Sequence, residues 1–76
     1  MPKLPVLTGA DVVRALERCG FAFDRQSGSH MILKNRGRDA TVSVPIHGQE
    51  ELPRGTLRGI LRQAGVTPEE FLELLK

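Results

Sequence analysis

One cysteine, no tryptophan, no tyrosine and only three phenylalanines among 76 residues leave few of the usual means of stabilising a small chain. A single thiol, Cys19, can form no internal disulfide and leaves no cysteine-based zinc site, so neither common staple of a small domain is available. Such a chain suits a reducing compartment. A domain of this length buries only about 60% of the surface its unfolded chain exposes, so marginal stability is expected. No apolar run approaches the ~20 residues that span a bilayer, and Met1 to Thr8 lacks the charged and apolar regions of a signal peptide. The expectation is one soluble, cytoplasmic domain over residues 1–76. A strong charge of either sign is also missing, since the net is +2, but the distribution is uneven. Residues 1–66 carry ten Lys/Arg against six Asp/Glu, whereas the last ten residues carry a net −2. A modestly basic body with an acidic end can meet a phosphate backbone on one side, although solvated arginine faces are common without that role.

The apolar pattern changes period along the chain. Thr8 followed by Asp11 is a capping-box-like start, and Val12, Val13, Leu16 and Cys19 recur at helical spacing up to Gly20. Phe21 and Phe23 alternate with Ala22 and Asp24, which predicts a short strand ended by a Gln26-Ser27-Gly28 turn. His30 to Lys34 reads as a second strand, Arg36 to Asp39 as a turn, and Ala40 to Val44 as a third strand closed by Pro45. After a loop with His47-Gly48 and Leu52-Pro53, Leu57, Ile60, Leu61 and Ala64 fall at i, i+3, i+4 and i+7 of a helix ended by Gly65. Thr67-Pro68-Glu69-Glu70 starts a last helix with apolar Phe71, Leu72, Leu74 and Leu75. The fold class expected is α+β, in the order α-β-β-β-α-α, with helices on one face of a three-stranded antiparallel sheet. Met31, Leu33, Val42 and Val44 form the expected core set. By alternation His30, Ile32 and Lys34 share the other face, as do Thr41 and Ser43, which leaves His30 within reach of a ligand. Met1 to Leu7, with Pro2 and Pro5, has no assignable pattern and is expected to be a flexible arm or a partner contact.

Chemistry centres on Gly28-Ser29-His30, where a tight turn feeds a strand and fixes the direction of the histidine. A lone histidine at a strand start is often incidental. Its company is what singles it out: Ser29 supplies a hydroxyl, Lys34 a cation on the His30 face, and Arg25 and Arg36 flank the same hairpin as phosphate contacts. RNA carries its own nucleophile, the ribose 2′-hydroxyl, so cleavage needs a base, an acid for the leaving 5′-oxygen and cations around the phosphorane. A histidine with basic neighbours meets that need. No carboxylate cluster or His-x-x-His spacing lies near His30, so no metal and no other cofactor is expected. His47 in Val44-Pro45-Ile46-His47-Gly48 is a second candidate, as acid or phosphate contact, although a loop histidine beside glycine also simply orders a turn. Arg54, Arg58 and Arg62 form one helical stripe that suits RNA, an acidic partner or plain solvation. Cys19 reads as a small buried hydrophobe.

Gly20-Phe21, Gly28-Ser29-His30-Met31, Val44-Pro45-Ile46-His47 and the run from Gly55 to Gly65 (Gly-Thr-Leu-Arg-Gly-Ile-Leu-Arg-Gln-Ala-Gly), in this order, resemble the HicA family of bacterial toxins over nearly the whole chain. The resemblance implies a double-stranded-RNA-binding-domain-like fold, a type II toxin-antitoxin toxin that cleaves mRNA, and a neutralising HicB-like antitoxin protein as partner. The family's catalytic histidine falls on His30, and the Val-Pro-x-His histidine on His47. The residues expected to meet RNA are Gly28, Ser29, Arg25, Lys34, Arg36 and His47. Two other readings stay open at this point: a module of the same shape that holds RNA without cutting it, and a partner-binding protein that has lost the activity.

Overall fold

The computed structural model describes residues 3–76. Helix α1 spans Gly9–Glu17, strands β1, β2 and β3 span Ala22–Ser27, His30–Asn35 and Ala40–Pro45, and helices α2 and α3 span Arg54–Ala64 and Pro68–Leu74. The strands form one antiparallel sheet in the order β1-β2-β3. α1 and α2 lie against β3, and α3 packs on both of those helices. All three helices therefore occupy one side of the sheet, as the alternating pattern of the strands requires.

Local chemistry accounts for the boundaries. Thr8 Oγ1 accepts from the Asp11 amide at 3.2 Å, and Asp11 Oδ2 accepts from the Thr8 amide at 3.1 Å. This reciprocal capping box satisfies two amides that have no partner inside the helix. α2 ends at Gly65, and α3 starts under a Thr67 cap with Pro68 in its first turn. β1 starts at Ala22 and continues through Arg25, Gln26 and Ser27, where a turn was expected. Its link to β2 is Gly28-Ser29 alone, with Gly28 at φ +58. A positive φ at the first position of a two-residue hairpin loop is what a residue without a β-carbon adopts readily.

The core under the sheet contains Val12, Leu16, Phe21, Leu33, Val42, Val44, Leu57, Ile60, Leu61 and Phe71, with Met31 packed half-buried at its margin. Ile32 departs from expectation. Register puts it on the outer face, opposite Arg25 and Ser43, yet it is only 8% exposed. It lies in the middle strand, so side chains on both flanking strands cover it without any helix above. Phe21 and Phe23, expected in one strand, part company: Phe21 precedes β1 and is buried, whereas Phe23 is 55% exposed.

A free N-terminal arm is also not what forms after residue 3. Leu4 is 1% exposed within the core, and the Leu7 carbonyl accepts from the Leu52 amide at 2.7 Å. The apolar stem of the stretch was the overlooked signal. Met1 and Pro2 lie outside the described residues.

Asn35 is the one buried polar side chain among the described residues. Its Nδ2 donates to the Cys19 carbonyl at 3.0 Å and its Oδ1 accepts from the Arg38 amide at 3.2 Å, which ties the α1–β1 turn to the β2–β3 turn. Both bonds are needed because an unpaired buried amide costs about 1–3 kcal/mol.

The hydrogen bonds from the Thr8 backbone and side chain, with Arg14 beside them, hold the Asp11 carboxyl below its ordinary 3.8. A depressed folded value stabilises the protein above the unfolded value, and the gain is lost as pH falls through the folded one. Asp11→Asn should therefore lower the melting temperature at neutral pH, and the gap from wild type should close as both are titrated to about pH 2. A gap that stays constant in calorimetry would mean the charge contributes nothing.

Candidate active site

The turn Gly28-Ser29 and the start of β2 define one end of the sheet. His30 is exposed there, paired across β1 with Ser27 and across β3 with Pro45. The ladder runs one pair further, because the Ile46 amide donates to the Ser29 carbonyl at 2.7 Å. His47, also exposed, follows directly. It stands two residues beyond Pro45, the partner of His30 across the sheet. The two histidines, 17 positions apart in sequence, are thus brought to the same end of the sheet by strand register. Beyond His47 the chain turns through Glu50, whose amide donates to the His47 carbonyl at 3.0 Å. A hollow of about 240 Å³ there is lined by Pro45, His47, Glu50, Glu51, Leu52, Pro53 and Thr56.

The cations distribute less favourably than the linear sequence suggested. Arg25 stands opposite Ile32, two pairs along from His30 and on the same outer face. Lys34 shares that face but lies four residues along β2, about 13 Å away. Arg36 lies in the β2–β3 turn, six residues on and about 20 Å from His30. Flanking one hairpin in sequence did not bring Arg25 and Arg36 together, because the hairpin is an extended rod with Gly28-Ser29 at one end and Arg36 at the other.

Asp24 is the residue that sequence reasoning passed over. It is the extra residue of a β-bulge, since Phe23 pairs with Leu33 and Arg25 with Ile32. The bulge turns its carboxylate between two of the candidate cations: Arg25 Nη1 is 2.6 Å and Lys34 Nζ 3.9 Å from Asp24 Oδ2. Exposed pairs of this kind contribute about 0–1 kcal/mol, so an incoming phosphate can displace the carboxylate. Single-sequence alternation gives no sign of a bulge, which shifts the phase of a strand by one residue.

Gly9 holds the site from behind. It is buried at the first turn of α1, and a β-carbon there would overlap the Pro45 carbonyl oxygen and stand 2.8 Å from Ile46 Cδ1. The absent side chain lets α1 press on the peptide whose amide pairs with Ser29.

Other basic residues are committed elsewhere. Arg38 pairs with Glu70 and donates to the Gly65 carbonyl, and Arg18 donates to the Leu74 and Lys76 carbonyls, so both fasten the C-terminal segment. Arg54, Arg58 and Arg62 are exposed on α2, and no carboxylate of the described residues lies within ion-pair distance. That helix packs on the other side of the sheet from His30. Cys19 donates its thiol to the Leu16 carbonyl at 3.3 Å, and burial pushes its pKa above the usual thiol range, the reverse of what a nucleophile needs. Among the described residues no group of three or more His, Cys, Asp or Glu is placed to hold a metal ion, and no helix is long and apolar enough to cross a membrane.

One-sided helices on a three-stranded antiparallel sheet, in the order α-β-β-β-α-α, make this an α+β protein of the double-stranded-RNA-binding-domain-like class. Within that class its affiliation is narrower. A family model described as HicA toxin of bacterial toxin-antitoxin matches residues 9–66, and the chain belongs to that family of RNase-type toxins. Among curated proteins no match was found. Family membership implies an RNA substrate and an antitoxin partner.

Two substitutions check the close approach at Gly9. Gly9→Ala should cost about 1–3 kcal/mol in denaturant unfolding, the usual range for overpacking. Gly59→Ala, in α2 with nothing within 4 Å of the added carbon, should raise stability by about 0.5–1 kcal/mol. Equal effects of the two would remove the argument for a tight α1–β3 seam.

Proposed function

We propose that the protein is a metal-independent endoribonuclease that cleaves mRNA through His30 and is neutralised by a HicB-like antitoxin. The observation that carries this reading is the position of His30: exposed, fixed at a strand start by a two-residue turn, and at the end of the sheet from which the chain leads to a second exposed histidine. A ribonuclease that uses the substrate's own 2′-hydroxyl needs one group to accept a proton and one to donate it. In this reading neutral His30 removes the 2′-hydroxyl proton, the 2′-oxygen attacks the adjacent phosphorus, and the 5′-oxygen leaves with a proton from His47. The products are a 2′,3′-cyclic phosphate and a 5′-hydroxyl. Gly28 and Ser29 allow the backbone to approach the scissile phosphate closely, and Arg25 balances the charge that develops on it. At about 13 Å from His30, Lys34 is suited to a neighbouring phosphate of the same strand, and Arg36 to one further along.

His30→Ala should abolish cleavage of a labelled transcript in EDTA while the circular dichroism spectrum stays that of wild type. Ends that carry a 3′-hydroxyl would contradict the mechanism. Because the mechanism needs a neutral base and a protonated acid at the same time, the rate should pass through a maximum with pH and fall on both sides of it. A rate independent of pH would remove the two histidines from these roles. If neither protein cuts and both bind the transcript equally, the domain is a binding module.

Asp24→Asn frees Arg25 and Lys34 from their shared carboxylate. RNA affinity measured by filter binding at low salt should then rise several-fold, with the advantage shrinking as salt screens the phosphates. An unchanged affinity would mean that these two cations stay off the RNA.

A further inference from the structure

Phe23 is the aromatic that the fold leaves outside. The other two phenylalanines are 3% and 0% exposed, whereas Phe23 is 55% exposed. Register sets it opposite Leu33, on the helix side of the sheet. The helices cover β2 and β3 and stop short of β1, all six of whose residues are exposed. The bulge at Asp24 then bends the strand. The result is a hollow of about 400 Å³ that reaches around the strand, with Phe23 and Ala22 in its wall and Lys34 and Arg36 among its lining residues.

We infer that this hollow is a nucleobase subsite of the RNA-binding surface, in which Phe23 stacks on an unpaired base and Lys34 and Arg36 hold the phosphates on either side. The inference rests on the ribonuclease reading for the identity of the substrate. Several observations favour a base as occupant. A single half-exposed aromatic ring lining a hollow of that size fits a planar aromatic better than an extended apolar side-chain cluster. The surrounding side chains give two cations against one carboxylate, and that carboxylate, on Asp24, is already shared with Lys34 and Arg25. Single-stranded RNA is commonly held in this way, with bases stacked on aromatic rings and the backbone on cations. Lys34 also links the two regions, because it belongs to the outer face with His30 and borders the hollow with Phe23. A strand cut at His30 can therefore run along the outer face and turn around β1 into the hollow. This subsite accepts any base by its π-face and requires the segment to be unpaired, so duplex RNA is excluded from it.

The test uses the absence of tryptophan and tyrosine from the chain. Phe23→Trp introduces a sole fluorophore at the subsite and keeps an aromatic there. A short single-stranded oligonucleotide with 2′-O-methyl sugars, which cannot be cleaved by a 2′-hydroxyl mechanism, should quench that tryptophan saturably. An oligonucleotide of the same length with abasic sugars should quench it far less. Phe23→Ala should weaken binding of the base-bearing oligonucleotide by about five- to 160-fold, the range for one base–aromatic stack, while Phe23→Trp, which keeps an aromatic ring, retains binding. Melting curves of both variants establish that they are folded. An unquenched tryptophan, or equal binding by wild type and a folded Phe23→Ala, overturns the subsite. So does the outcome in which Phe23→Ala spares RNA binding but loses a co-expressed antitoxin, which would give the hollow to the protein partner. Cleavage of unmodified transcript by wild type is read separately, so a failure of the ribonuclease reading is distinct from a failure of stacking.

Discussion

A three-stranded sheet has two faces, and the apolar surface of this chain suffices to bury one of them. Everything placed at the site follows from that one-sided burial. α1 and α2 cover β3 and the adjoining side of β2, and α3 closes the helices from behind. The outer face is left to His30, Lys34, Arg25, Thr41 and Ser43, with Ile32 as its only buried member. A polar face with cations is a surface on which a nucleic acid strand can lie, and its histidine is held by backbone pairing on both sides. The same shortage of apolar surface leaves β1 uncovered and Phe23 in solvent.

Rigidity at the site comes from a contact on the far side of the sheet. α1 can approach the Pro45–Ile46 peptide because Gly9 has no side chain, and the Ile46 amide in turn holds the Ser29 carbonyl. The capping box at Thr8 and Asp11 fixes where that helix begins, so the position of Gly9 is set by local hydrogen bonds immediately beside it. Local propensity and the tertiary seam therefore agree at the point where agreement matters for the histidines, which is the consistency expected of a foldable sequence. In a domain of marginal stability, an antitoxin that binds only the folded state also adds to its stability by mass action.

Electrostatics adds a second layer of control. Asp24 keeps Arg25 and Lys34 occupied in the absence of ligand. The exchange of one carboxylate for a phosphate costs little at an exposed position. The three arginines of α2 carry no such counter-charge among the described residues, and their helix packs on the side of the sheet opposite His30.

Element order, helix caps, the outward direction of His30 and the family to which the chain belongs were all legible in the linear sequence. Each depends on contacts within a few residues or on a period of 2 or 3.6 that a single segment displays. The bulge at Asp24, the burial of Ile32, the anchoring of Leu4 and the separation of Arg25 from Arg36 were not legible. Each depends on which strand lies beside which, and on how far the helices extend over them. His47 shows the boundary between the two kinds of information. Its residue type and its Val-Pro-x-His setting marked it as a candidate. Only the antiparallel register of β2 and β3, which pairs His30 with Pro45, brought it to the His30 end of the sheet, because pairing distance across a sheet is independent of separation along the chain.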